Sequence, residues 1–301
     1  MARRVLLGLT GVALVLLLAS ASGPARAVRP ATGVPVGAGD VYLALGDSLA
    51  TGDEFPANTA EEGNLPGYPV YLDLLLDYAR PISLTVLARS GESTTSMRAP
   101  GGQLEQAVAF IQTQRTAGKV VSPVTLSIGG NDLVNTFLGR EDPQRTITDT
   151  LPLVRDNLGY ILDTLLTALT EDGRRTGDLI VMNYYNPYPG LTIRTTPPFV
   201  FLPPDQEPIV TDVEVPRFNQ IVAEVAAARH VPVVDAFTRF RGREPYFLFV
   251  RFPYDFNDTA NLLRNFDYHP RAPGHWNLAY GFIETAGYGP APRAFLPLTG
   301  R

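Results

Sequence analysis

Three short polar motifs each follow an apolar run. Gly46-Asp47-Ser48-Leu49 follows Val41 to Leu45, Arg89-Ser90-Gly91-Glu92-Ser93 follows Ile82 to Leu87, and Gly129-Gly130-Asn131-Asp132 follows Val124 to Ile128. If the runs are strands of one parallel sheet, their carboxyl ends deliver a hydroxyl, a glycine backbone amide and a carboxamide to one rim, where such sheets bind ligands. Acyl transfer needs a nucleophile and hydrogen-bond donors aimed at a developing oxyanion. A serine hydroxyl also needs a base, and the chain has three histidines. His230 precedes an apolar run and falls at the opposite edge of the sheet. His275 follows Gly274 inside a helical stretch and reads as packing. His269, in Asp267-Tyr268-His269-Pro270 ahead of the last helix, is placed to project over the rim. Asp47 and Asp132 read as loop-holding carboxylates, Ser93 as turn chemistry, Asp235 as a cap on the turn after its strand, and Trp276 as packing.

The elements that must position these groups alternate. Strands are expected at Val41 to Leu45, Ile82 to Leu87, Val124 to Ile128, Leu179 to Met182 and Val231 to Val234. Helices are expected at Tyr68 to Tyr78, Gln103 to Gln112, Leu151 to Leu169, Val213 to Ala228 and Arg271 to Ala286. Alternating strands and helices imply an α/β fold. The expected architecture is a three-layer α/β/α sandwich, flavodoxin-like, around a five-stranded parallel sheet. Continuous apolar strands imply burial on both faces. Two stretches exceed this minimal layout, the proline-rich Asn186 to Glu214 and the aromatic Arg241 to Phe266. Loops of this length are surface elaboration or an apolar wall or lid beside a site.

Taken together, Gly46-Asp47-Ser48-Leu49, Gly91, Gly130-Asn131-Asp132 and His269-Pro270 resemble, in order, the four blocks of the GDSL, or SGNH, hydrolases. Val124 to Ile128, Asn183-Tyr184-Tyr185-Asn186-Pro187 and Gly274-His275 are similar to secreted bacterial esterases and lipases of that family. The resemblance implies Ser48 as nucleophile and His269 as general base. It implies an oxyanion hole made by the N–H groups of Ser48 and Gly91 with the Asn131 side chain. In the family an Asp three residues before the histidine usually orients it, but that position is Phe266. The nearest carboxylate, Asp267, lies two residues before, as in a minority of the family; a backbone carbonyl is the alternative. The resemblance implies a serine esterase or lipase working through an acyl-enzyme. Carbohydrate acetylesterases and phospholipases belong to the same family, and a non-catalytic lipid- or carbohydrate-binding protein on a hydrolase scaffold is the reading from another class.

The amino terminus carries Arg3-Arg4, an apolar run from Val5 to Ala19 and Ala25-Arg26-Ala27. This is the plan of a cleavable signal peptide over residues 1–27, with a retained anchor as the alternative. Residues 28–39 read as a flexible lead-in and 40–301 as a single hydrolase domain. The expected location is therefore extracellular. A formal charge of −5 gives no basis for nucleic acid or anionic lipid as a partner. The absence of cysteine removes disulfides, thiol catalysis and Cys-based zinc sites. No cofactor or metal is implied, and the expected state is a monomer acting on a small ester or lipid.

Overall fold

The computed structural model describes residues 35–52, 65–137, 146–193, 209–254 and 267–288. The expected signal peptide and the 194–208 and 255–266 portions of the two long stretches lie outside the described residues. In chain order the elements begin with β1 (Val41–Gly46), α1 (Ser48–Thr51), α2 (Tyr68–Asp77), β2 (Ser83–Val86), α3 (Thr94–Met97) and α4 (Gln103–Thr116). They continue with β3 (Val121–Ser127), α5 (Gly130–Phe137), α6 (Ile147–Ala168), β4 (Thr170–Glu171), β5 (Arg174–Arg175) and β6 (Leu179–Met182). The remainder are β7 (Thr192–Ile193), β8 (Ile209–Val210), α7 (Thr211–Ala227), β9 (Val233–Val234), α8 (Ala236–Phe240), α9 (Glu244–Phe247) and α10 (Ala272–Ala286).

Five strands form one parallel sheet in the order β2-β1-β3-β6-β9. Its two faces follow from side-chain alternation along each strand. Val41, Leu43 and Leu45 pack with Leu104 and Ile111 of α4, Leu158 and Leu162 of α6, and Phe218 of α7. Tyr42 and Ala44 pack the other way, with Leu72 and Leu75 of α2 and Leu278 and Phe282 of α10. The result is the expected three-layer α/β/α sandwich.

Two expectations about the strands need correction. β2 is not buried on both faces, since Ser83 and Val86 are exposed. Among the described residues it is an edge strand, with a neighbour on one side only. β3 starts at Val121, three residues earlier than the expected Val124. The ladder with β1 accommodates Pro123 by a register shift, from Val41↔Val121 to Leu43↔Val124. Proline cannot donate to a ladder, and an irregularity of this kind is where a sheet tolerates it.

The strand order also locates the site. The chain leaves β1 for β2 on one side and returns to β3 on the other. The connections diverge there, and a crevice opens at the carboxyl ends of β1 and β3. Ser48 follows the first of these ends and Asn131 the second.

Candidate active site

β1 ends at Gly46, whose φ of +128° is a backbone conformation that favours glycine. A Cβ there would overlap the Ser127 carbonyl oxygen of β3. This close approach lets Asp47 donate its N–H to the same carbonyl at 3.1 Å. Asp47 then caps α1, its carboxylate accepting the Leu49 N–H at 3.1 Å and the Ser127 hydroxyl at 3.2 Å. Its second oxygen accepts the Tyr184 hydroxyl. Burial pushes this carboxyl up to about 6, although Tyr184, Leu49 and Ser127 all favour the charged form. Ser48 is thereby held as the first residue of a helical turn, where backbone N–H groups have no intrahelical acceptor.

His269 arrives from the far end of the chain. Its Nε2 lies 2.9 Å from Ser48 Oγ, and its Nδ1 lies 2.7 Å from Asp267 Oδ1. The same carboxylate oxygen accepts the His269 backbone N–H at 3.0 Å. Residues two apart in extended backbone share a side, and the two-residue spacing closes an Asx-type turn that fixes ring and backbone with one atom. Asp267 has no solvent exposure. The loop itself is stitched to the segment before it. Phe249 N–H donates to the His269 carbonyl at 3.1 Å, Arg271 N–H to the Phe247 carbonyl at 2.7 Å, and Arg271 Nε to the Leu248 carbonyl at 2.8 Å. Tyr185 hydroxyl donates to the Tyr268 carbonyl at 2.8 Å. The described part of the aromatic stretch therefore braces the histidine loop, with Phe247, Leu248 and Val250 in the core.

Gly91 sits on the exposed rim with φ +76°. A Cβ would meet nothing there, so the backbone conformation alone calls for glycine. Asn131 lies in the first turn of α5 and donates one Nδ2 hydrogen to the Glu92 carbonyl at 3.1 Å. A carboxamide has a second such hydrogen. Among the described residues, neither the Ser48 nor the Gly91 N–H donates to a protein acceptor. Asp132 reaches across to the loop after β2, accepting the Thr94 N–H at 2.8 Å and the Thr94 hydroxyl at 2.5 Å. Its role is to tie two rim loops together, a longer reach than the local loop-holding its sequence context suggested.

The remaining candidates fall elsewhere. His230 is exposed, at φ +55°, in the turn between α7 and β9. His275 is buried in α10 and stacks on Tyr71. Asp235 caps α8 through the Thr238 N–H at 3.1 Å. Ser93 caps α3 in a reciprocal pairing with Ser96. Trp276 packs against Tyr71. Three contributors escaped sequence reasoning: Tyr184, Glu92 and Gln103. Tyr184 and Glu92 lie inside the quoted motifs and Gln103 opens α4, but their contacts with Asp47, Asn131 and Gly46 bridge segments far apart in sequence, so no local spacing reveals them. Among the described residues no group of three or more His, Asp or Glu is arranged to hold a metal.

A model of the GDSL-like lipase/acylhydrolase family matches residues 44–276. The chain belongs to this family. As a member it is a carboxylic ester hydrolase. It is 25% identical over 210 residues to the spore germination lipase LipC of Bacillus licheniformis, covering 69% of this chain and 84% of that protein. Among solved structures, an acetylxylan esterase from Geobacillus stearothermophilus superposes with a TM-score of 0.52 at 17% identity, covering 84% of this chain and 97% of the other. An α/β hydrolase from the metagenome of Lake Arreo gives 0.53 at 16% identity, covering 85% and 99%. These two share the fold of this GDSL hydrolase.

Proposed function

We propose that this GDSL hydrolase is a secreted serine esterase or lipase that works through an acyl-enzyme. The observation that carries the reading is the aligned pair of contacts from Ser48 Oγ through the His269 ring to Asp267, at 2.9 and 2.7 Å. Ser48 Oγ attacks the ester carbonyl as Nε2 of His269 takes its proton. Asp267 holds the Nδ1–H tautomer and stabilises the imidazolium. The oxyanion is received by the N–H groups of Ser48 and Gly91 and the second Nδ2 hydrogen of Asn131. His269 then returns its proton to the leaving alcohol and activates the water that cleaves the acyl-enzyme. None of these steps calls on a cofactor.

The substrate we propose is a small ester or lipid with an apolar acyl chain, processed by a monomer. Tyr188, Phe252 and Tyr254 cluster where the two long stretches meet, and Tyr254 hydroxyl donates to the Pro189 carbonyl at 3.2 Å. The Tyr188 phenol is pushed well up by burial, then by Tyr268 and Asp267 beside the catalytic histidine, so this aromatic surface is electrostatically close to the site. The name of the Bacillus relative points the same way; the acetylxylan esterase supplies the competing substrate class.

A fluorophosphonate probe should label the protein at Ser48, as located by peptide mass spectrometry. Label on Ser93, or none on folded protein, overturns the reading. In the same preparation, p-nitrophenyl esters of rising chain length should outrun acetylated xylan; the reverse order would make it a carbohydrate acetylesterase. Export rests on the leader of residues 1–27. Protein recovered from culture medium should begin at or near Val28, and membrane-bound material beginning at Met1 or Ala2 would make the segment an anchor.

A further inference from the structure

One buried side chain joins two of the three strand ends from which the oxyanion donors come, those of β1 and β2, and the reaction as described leaves it unused. Gln103 opens α4 and has no solvent exposure. Ala44 and Gly46 turn their carbonyls toward the β2 side, where they accept the N–H groups of Leu87 and Arg89 at 3.0 Å each. β2 has ended by then, at Val86. The Gln103 carboxamide closes on the Gly46 peptide groups beside that segment. Its Oε1 accepts the Gly46 N–H at 2.6 Å, and its Nε2 donates to the Gly46 carbonyl at 2.9 Å. The other Nε2 hydrogen goes to Glu92 Oε2 at 2.9 Å.

Glu92 extends the connection. Its other carboxylate oxygen accepts the Ser96 hydroxyl, and its backbone carbonyl accepts Asn131 Nδ2. Gly46 is two residues before Ser48, and Glu92 is the residue after Gly91. A single carboxamide–carboxylate contact thus spans the backbone of the nucleophile turn, the Gly91 loop and the Asn131 side chain. Oxyanion donors are useful only when held about 2.7–3.1 Å from the developing charge. Gly91 has no side chain to anchor it and sits on an exposed rim, so its position depends on what holds Glu92.

We propose that Gln103 and Glu92 are positioning residues for ester hydrolysis, setting the spacing of the Ser48, Gly91 and Asn131 donors. This rests on the assignment of those three groups to the oxyanion hole. Gln103→Leu and Glu92→Ala should each lower turnover per active site roughly ten- to a hundredfold, below the 10²–10³ loss from removing a donor outright, with KM changed by less than about threefold. Active sites are counted by fluorophosphonate titration, so protein that has merely failed to fold does not enter the rate. Binding of an alkylboronate, which forms a tetrahedral adduct on serine, should weaken in step with turnover. Glu92→Gln should recover most activity, because its carbonyl can still accept from Gln103 while its amide donates to Ser96. In an Asn131→Ala background, the Gln103→Leu loss should shrink, since both changes act on one set of donors.

Per-site turnover within about threefold of the parent for both Gln103→Leu and Glu92→Ala, alongside an Asn131→Ala loss of about a hundredfold, overturns this inference alone. Parent-like per-site turnover in Asn131→Ala overturns the oxyanion-hole assignment and this inference with it. If Gln103→Leu does not fold, the contrast between Glu92→Ala and Glu92→Gln decides; equal losses in the two overturn the proposal.

Discussion

Replacing Asp267 with Ala should lower kcat for ester hydrolysis by about 10³–10⁴, the range over which removing the orienting acid acts in serine hydrolase triads. The geometry makes the reason specific. One carboxylate oxygen accepts both the ring Nδ1–H and the backbone N–H of His269. Without it the imidazole loses its orientation, its tautomer preference and the counter-charge for the imidazolium that forms in the transition state. Asp267→Asn separates these effects. An amide oxygen in the same place can keep both bonds, so the substitution removes chiefly the charge. Its loss should be clearly smaller than that of Ala. This differs from triads in which the amide flips and imposes the wrong tautomer. Steady-state kinetics at a pH where each variant has reached its plateau rate measure both. If Asp267→Ala stays within about tenfold of the parent, the site is a Ser–His pair steadied by the backbone, and Asp267 leaves the mechanism.

That spacing is the point at which sequence reasoning came under most strain. The two-residue separation of Asp267 and His269 departs from the commoner pattern, and whether the carboxylate reached the ring could not be read from the motif. The turn that solves it depends on the His269 carbonyl being held by Phe249 N–H, a contact across a long aromatic stretch. Elements with strong periodicity were legible: β1, β6, α2 and the body of α6 stand within a few residues of expectation. The short helices α1, α3, α8 and α9 were not, since four or five residues carry no helical period. They are set by what precedes them, such as the caps at Asp47 and Ser93. The antiparallel pair β4–β5 turns on Asp172-Gly173, both with positive φ. That dipeptide is a recognised hairpin signal, although the two-residue strands it joins carry no alternation of their own. Tyr184, Gln103 and Glu92 are a different matter. Tyr184 meets Asp47 across 137 residues and Gln103 meets Gly46 across 57. Only the folded sheet, which brings the strand ends to one rim, makes them neighbours.

The largest stability effect should come from a histidine outside the reaction. His275 is 1% exposed, its Nδ1 has no hydrogen-bond partner, and burial, with a smaller contribution from His269, lowers its pKa to about 3. Unfolded histidine takes up its proton near 6.5, whereas the native state resists it until about 3. The unfolded chain therefore binds more protons than the native one across that window. Stability is full above the unfolded value and falls as the pH drops through it, by up to about 4–5 kcal/mol on reaching the native value. Asp47 works in the opposite direction. Its native carboxyl titrates at about 6, above its unfolded value, so the native state binds the extra proton. Its contribution to stability rises as pH falls from about 6 toward 4, by up to about 3 kcal/mol. The two partly offset each other down to roughly pH 4, below which His275 continues alone. His275→Leu, close in volume and unable to titrate, should flatten the acid limb of stability, and Asp47→Asn should steepen it between pH 6 and 4. Urea unfolding free energies measured from pH 7.5 to 3.5 test both. An acid limb in His275→Leu as steep as in the parent would mean that the native state accommodates the His275 proton as readily as water does, and the acid lability would have to come from the carboxylates instead.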